Sequence, residues 1–454
     1  MKTITLDITN IFSEQIGREG LDGTALAEAC FDLETYNKDL SSSPYPFMKL
    51  PETRFQFDEM KSLAEKIKEQ GIKNLVLLGI GGSSLGTETI FNALLHPFHN
   101  YGSEFRGGAP RYFILDNIDP HKINSIIEVI GPDLEKTFLV VISKSGETPE
   151  TISQFMIFKE LLKKDGGNFQ ERIILITGHE KGILNKIAEE EGYRTLNLPD
   201  GVGGRFSVLT PVGIFPAILM GIAVDEIMDG AQSMSSYIQN TAGMENMAFV
   251  LSATLYNMDK NGKPIHVIMP YCERLSGFAD WFRQLEGESL GKGGFGPTPT
   301  KSVGVTDQHS QLQLYVDGPK DKCIMLFYTA RDTRPIPDSF PYLDDVSYLA
   351  GKDLKDLFHA EFQGTCLSLT EANTANFTLF LEDINAHTLG ALFCLFEMVI
   401  VFLGTLYKVN AFDQPGVEQG KIYTKAIMGK KELEREGAKI KAILSSPKKL
   451  ITFA

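Results

Sequence analysis

An α/β fold with two doubly wound parallel sheets is what this 454-residue chain predicts, and three observations carry the expectation. Short apolar runs alternate with helical periods, which implies parallel strands joined by crossover helices. The runs are continuously apolar, as strands must be when helices cover both faces of a sheet. At about 150 residues per domain, the length also leaves room for more than one such unit.

Taken in order, residues 1–60 read as an N-terminal flank. MKTITLDITNIFSEQIG lacks the apolar centre of a secretory signal and is too acidic for a transit peptide, so no export is expected. The first α/β domain is expected over 61–225. Its strands are NLVLLGI, RYFILD, TFLVVISK and RIILITG, followed by YRTLNLP, and its helices lie at 84–95, 120–130, 149–164 and 182–191. A second α/β domain is expected over 226–420. It opens with a helical stretch near 225–260 and continues with PIHVIMP at 264–270, a helix around 275–285, CIMLFYT at 323–329 and TCLSLTE at 365–371. Residues 421–454 form a C-terminal helical arm. The 19-residue, largely apolar segment at 389–407 approaches membrane-spanning length, but it holds Glu397 and has no second span beside it, so it reads as a buried core helix whose acid needs a partner.

Charge narrows the function classes. Lys and Arg total 44 against 58 Asp and Glu, a net charge of -14, so neither nucleic acid nor an anionic membrane is an expected partner. Any anionic ligand needs a local pocket. Five scattered cysteines without CxxC spacing suggest neither a disulfide framework nor a zinc cluster, and fit a reducing cytoplasm. His96 and His99 have HxxH spacing, but Pro97 lies between them and no third ligand is near, so no metal is expected.

Two loops stand out as anion sites. GIGGSSLG at 79–86 follows a strand and opens a helix, where free backbone N–H groups and the helix dipole favour phosphate. As a dinucleotide fingerprint it fails, because Ser84 replaces the last glycine and Asp116 lies too far along. As a nucleophile elbow, Gly82-x-Ser84-x-Gly86 is only a loose match. SKSGETPET at 143–151 also follows a strand and opens a helix, with hydroxyl caps and Pro149 suited to the first helical position. Two such loops on one carboxyl edge are expected to converge on one dianion.

Other candidates are separate. DGVGGRFSV at 200–208 sets Arg205 beside glycines, where a guanidinium can face a ligand. In QLEGESLGKGG, Glu286 or Glu288 is a candidate general base, and the residues alone leave the choice open. The same run and Gly416 to Lys421 both miss the P-loop pattern in spacing and in the following residue. His309, in a polar loop beside Asp307 and Gln308, is a candidate proton shuttle.

GIGGSSLG, SKSGETPET, DGVGGRFS, EGESLGK, DQHSQ and FDQPGVEQGK, in that order and over most of the chain, resemble the bacterial-type glucose-6-phosphate isomerase family. The first two also resemble the sugar-isomerase module of phosphosugar-binding regulators. The resemblance implies two such modules, a cytoplasmic homodimer, sugar phosphates as ligands and no cofactor. It places phosphate on Ser83, Ser143, Ser145 and Thr148, with Lys144 alongside and Gly82, Gly204, Gln284 and Gln414 lining the substrate. Glu288 matches the family's base, and His309 and Lys421 match its ring-opening residues, the histidine reaching the neighbouring subunit's site. Arg205 would hold the enediolate. The second loop departs from the threonine-rich animal pattern, and Pro415 stands where tryptophan is often found.

Overall fold

A computed structural model describes residues 4–179, 182–340 and 344–453. Its strands are β1 (Ile4–Asp7), β2 (Asn74–Leu78), β3 (Arg111–Leu115), β4 (Thr137–Ser143), β5 (Ile173–Thr177), β6 (Arg194–Asn197), β7 (Ile265–Tyr271), β8 (Thr298–Lys301), β9 (Lys322–Tyr328) and β10 (Ala375–Leu381). One sheet runs β3-β2-β4-β5-β6, with every pair parallel. The other runs β1-β10-β9-β7-β8, parallel except for β1, which lies antiparallel on β10. In each sheet the first parallel strand, β2 or β7, has its successors on opposite sides. The crevices between β2 and β4 and between β7 and β9 are therefore the switch points at which open α/β sheets take ligands.

The predicted strands of the first sheet form because they are apolar on both faces. Leu75, Leu77, Val140 and Ile142 face a large core shared with the second half, whereas Val76, Leu78, Leu139 and Val141 face a separate outer core. The shared core also holds the helices Pro211–Leu219, Ser276–Leu290 and Ala386–Tyr407. The last of these is long and apolar enough to cross a membrane, but 89% of its most apolar window is buried inside the fold.

Two expectations in the second half need correction. TCLSLTE is the end of a helix, Leu354–Glu371, because its buried residues Phe362, Thr365 and Leu369 recur at helical spacing. The strand comes one turn later, as β10, after Asn373 takes a left-handed conformation at φ 57°. β1 and the polar TPTK of β8 also escaped the apolar-run criterion. Glu397 has no partner for Oε1, and burial raises its carboxyl pKa well above the usual range, so the acid is tolerated by staying neutral.

Candidate active site

At the end of β2 the chain turns sharply through 79–84. Gly81 has φ +58°, and a Cβ there would lie 2.6 Å from the Gln284 amide nitrogen. A Cβ on Gly82 would lie 2.3 Å from the carbonyl of Gly204, so only glycine lets this loop lie against the Arg205 loop. Ser84 precedes the helix Leu85–Leu94, but its hydroxyl donates to the Gly81 carbonyl at 3.2 Å and provides no cap. Buried and so engaged, Ser84 cannot be an exposed nucleophile. Ser83 and Gly82 are half-buried at the mouth of the turn.

The second loop leaves β4, whose carboxyl end is hydrogen-bonded beside that of β2. Thr148 precedes the helix Pro149–Asp165 without capping it, because its hydroxyl pairs with that of buried Ser143 at 2.9 Å. Ser145 Oγ accepts from the Glu147 N–H at 3.2 Å, and Lys144 is exposed. Two helices that leave adjacent strands on opposite faces of the sheet thus begin with no side-chain oxygen on their first N–H groups, and these groups and dipoles remain available to an anion.

Arg205 joins this edge to the second half. It is only 5% exposed, and each of its five N–H donors has an acceptor. Nε donates to Ser289 Oγ at 2.7 Å; Nη1 to Gln414 Oε1 at 2.9 Å and Glu288 Oε2 at 3.3 Å; and Nη2 to the carbonyls of Ala411 at 2.6 Å and Asp413 at 3.1 Å. Burial lowers its pKa and Glu288 opposes that shift, yet a guanidinium stays charged at neutral pH. The other Glu288 oxygen accepts from Gln284 Nε2 at 2.9 Å, while Gln284 Oε1 is buried without a partner and can accept a ligand hydroxyl. The Glu288 side chain, 35% exposed, opens to the cleft.

The structure separates the two candidate glutamates. Glu286 points into the core, where its Oε1 lies 2.7 Å from Nδ1 of equally buried His266 on β7. Two residues on, the same helix presents Glu288 on its other side. Lys421 is exposed on the helix Glu418–Ile427, with Nζ 2.7 Å from Glu418. One turn further, Lys425 Nζ lies 4.0 Å from Glu147, so this helix borders the second loop. His309 is exposed, while its neighbours turn inward: Asp307 accepts from the Val303 N–H at 2.7 Å, and Gln308 donates to the Glu361 carbonyl at 3.0 Å. The structure thus gathers Gly82, Ser83, Gly204, Arg205, Gln284, Glu288 and Gln414, and among the described residues no hydrogen bond or ion pair joins His309 to them. His99 is buried 2.9 Å from the Pro110 carbonyl, and His96 is exposed. Sequence reasoning missed Ser289 and the two carbonyls that seat Arg205; the polar residue directly after the candidate base was the available signal.

Two parallel-sheet units thus set a glycine and hydroxyl loop on one carboxyl edge beside a buried arginine paired with a cleft carboxylate. The family model described as Phosphoglucose isomerase matches residues 48–308 and 357–451. The chain belongs to that family. It is 37% identical to glucose-6-phosphate isomerase of Carboxydothermus hydrogenoformans, over 98% of this chain and 99% of the relative. It is 40% identical to that of Rubrobacter xylanophilus, over 95% and 99%. Among solved structures, it matches a hypothetical protein from Thermus thermophilus with TM-score 0.82 and 32% identity, covering 94% of this chain and all of that one. A glucose-6-phosphate isomerase from Chlamydia trachomatis shares the fold, with TM-score 0.76 and 21% identity over 95% and 91%.

Proposed function

We propose that this chain reversibly interconverts glucose 6-phosphate and fructose 6-phosphate, a step shared by glycolysis and gluconeogenesis. The observation that carries the reading is the Arg205–Glu288 pair set beside the loop at 79–84. The hydrogen next to a sugar carbonyl is a weak acid. Removing it needs a positioned carboxylate and a fixed cation for the enediolate that forms. Glu288 takes the proton from one carbon and returns it to the other. Arg205, with all its donors already seated, lies beside the developing charge without having to reorganise. The uncapped helix starts, with Ser83, Ser143, Ser145 and Thr148, hold the phosphate, and Gln284 and Gln414 border the sugar. Binding at that remote end orients the opened chain over Glu288.

Ring opening falls to Lys421 and His309, which move protons between the ring and anomeric oxygens. The likeness of DQHSQ to the family's motif assigns His309 to the site of a second copy, its exposure leaves it free to reach one, and the working unit on this reading is a cytoplasmic homodimer. The two α/β units divide at about 225, with 1–60 and 421–454 as flanks. Incubation with fructose 6-phosphate in heavy water tests the chemistry: deuterium at C2 of the aldose is expected by NMR. Absence of isomerisation would overturn the activity, and product free of solvent label would remove the support for exchange at Glu288.

A further inference from the structure

The glycine-rich run after the base helix, GKGGFG at 291–296, fails as a P-loop, and its lysine has so far had no role. In the structure it is a tight reversal. The Lys292 N–H donates to the Phe295 carbonyl at 3.1 Å, and the Phe295 N–H donates back to the Lys292 carbonyl at 2.9 Å. Gly293, Gly294 and Gly296 all have positive φ, at 59°, 82° and 114°, and a Cβ on Gly296 would lie 2.7 Å from the Leu290 carbonyl. This turn sends the Lys292 side chain back over the helix it has just left. Nζ donates to the carbonyl of Ser289 at 2.6 Å and to that of Glu288 at 3.1 Å, and lies 3.5 Å from Asp413 Oδ1. Only 12% of the side chain is exposed.

We infer that Lys292 is a positioning residue for proton transfer: its ammonium holds the last turn of the helix bearing Glu288 and ties it to the 410–417 loop that seats Arg205 and Gln414. The inference rests on the reading of Glu288 as the base. The last carbonyls of a helix lack intrahelical partners and carry the negative end of its dipole. Here they belong to Glu288 and Ser289, whose side chains meet Arg205. One cation therefore satisfies the backbone of the two residues whose side chains build the reacting pair. The charged groups facing it are Glu288 on the helix just before it, Arg205 from the 203–207 loop and Asp413 from the 410–417 loop, two acids and one other base. Burial, and then the neighbouring guanidinium, lower the pKa of Lys292. That is the expected cost of holding an ammonium at this place, and the paired carbonyls and Asp413 offset it.

A misplacement of the base by about 1 Å can slow the chemical step by about a hundredfold while substrate binding at the distant phosphate is untouched. For Lys292→Met the expected result is a fall in kcat of roughly 10- to 100-fold with KM within about twofold of the parent. The primary isotope effect with glucose 6-phosphate deuterated at C2 should rise, because proton transfer becomes more rate-limiting. Lys292→Arg should recover most of the loss. Asp413→Asn removes only the tether to the loop, and should give a smaller fall with the same rise in isotope effect; it serves if Lys292→Met does not fold. Unchanged kcat, or a lower kcat with an unchanged isotope effect in the folded variants, would overturn the inference. Glu288→Gln is run alongside: solvent exchange surviving in that variant would sink the base assignment, whatever Lys292 does.

Discussion

The first crossover helix of each sheet occupies the same place in the topology, yet the two are used at opposite ends. Leu85–Leu94 follows β2, and Ser276–Leu290 follows β7. They pack antiparallel: the turn before the first touches Gln284 near the end of the second, while Thr89 of the first donates to the Gly277 carbonyl at the start of the second at 2.9 Å. The positive end of one helix, left open by glycines and an uncapping serine, therefore lies beside the negative end of the other, where Glu288 stands. Between the two helix ends the reverse corner is closed by a side-chain bridge. Arg274 donates to the Ala93 carbonyl at 2.8 Å and to the Ile384 carbonyl at 2.7 Å, bridging the start of the second helix to the end of the first. A cavity of about 870 Å³ opens beside this bridge, lined in part by Arg274, Tyr271, Thr329, Arg331 and Phe358, and its lining among the described residues includes no glycine. The two corners of a pseudo-symmetric pair of folds thus differ in chemistry, because local sequence leaves one helix junction open and bridges the other.

The largest effect should come from the carboxylate at the open corner. Glu288→Gln keeps the shape and removes the base, and kcat should fall about a thousandfold with KM nearly unchanged, measured by coupled assay. If His309 acts across a dimer, that variant mixed and reassembled with His309→Ala should recover about a quarter of parental activity, since half the random dimers contain one intact site of two. No recovery would place His309 outside the partner's site. At the other end of the open corner, Ser143→Ala removes a cradle hydroxyl and the Thr148 partner. KM should rise about tenfold with kcat within about threefold. A loss confined to kcat would break the division between anion cradle and base. At the closed corner the comparison predicts a structural effect: Arg274→Ala leaves two carbonyls short of a donor, costing about 1–3 kcal/mol of stability by denaturant melting, with activity of the folded protein nearly unchanged.

The open corner was more legible than the closed one, for a physical reason. A phosphate cradle needs glycines and hydroxyls at consecutive positions directly after an apolar strand, so its chemistry is written locally. Ser143 and Ser145 could be marked for that reason. Arg205 was marked for its glycine neighbours, but not its burial, because its acceptors come from Ser289 and from carbonyls more than 200 residues away, at Ala411 and Asp413. Choosing between Glu286 and Glu288 by physics needs to know that His266 lies under one of them, and that depends on which face of the helix meets β7. The strands show the same divide. β2, β4 and β5 announce themselves by being apolar on both faces, whereas β8, a sheet edge with the sequence TPTK, has no apolar run to read.

A finer test contrasts Glu288, paired at the cleft, with Glu397, sealed in the core helix at 1% exposure. Burial raises the Glu397 pKa well above the ordinary carboxyl value, so the folded chain keeps a proton that the unfolded chain gives up above about pH 4.3. Its contribution is complete below that pH and is lost as pH rises toward the folded value, at up to about 1.4 kcal/mol per pH unit. Glu397→Gln keeps nearly the same volume and cannot ionise. Its melting temperature relative to the parent should therefore climb between pH 5 and pH 8, while kcat stays close to parental because the residue touches nothing at the cleft. A pH-independent difference would mean that Glu397 is charged in the folded protein, stabilised by an interaction the neutral acid does not need.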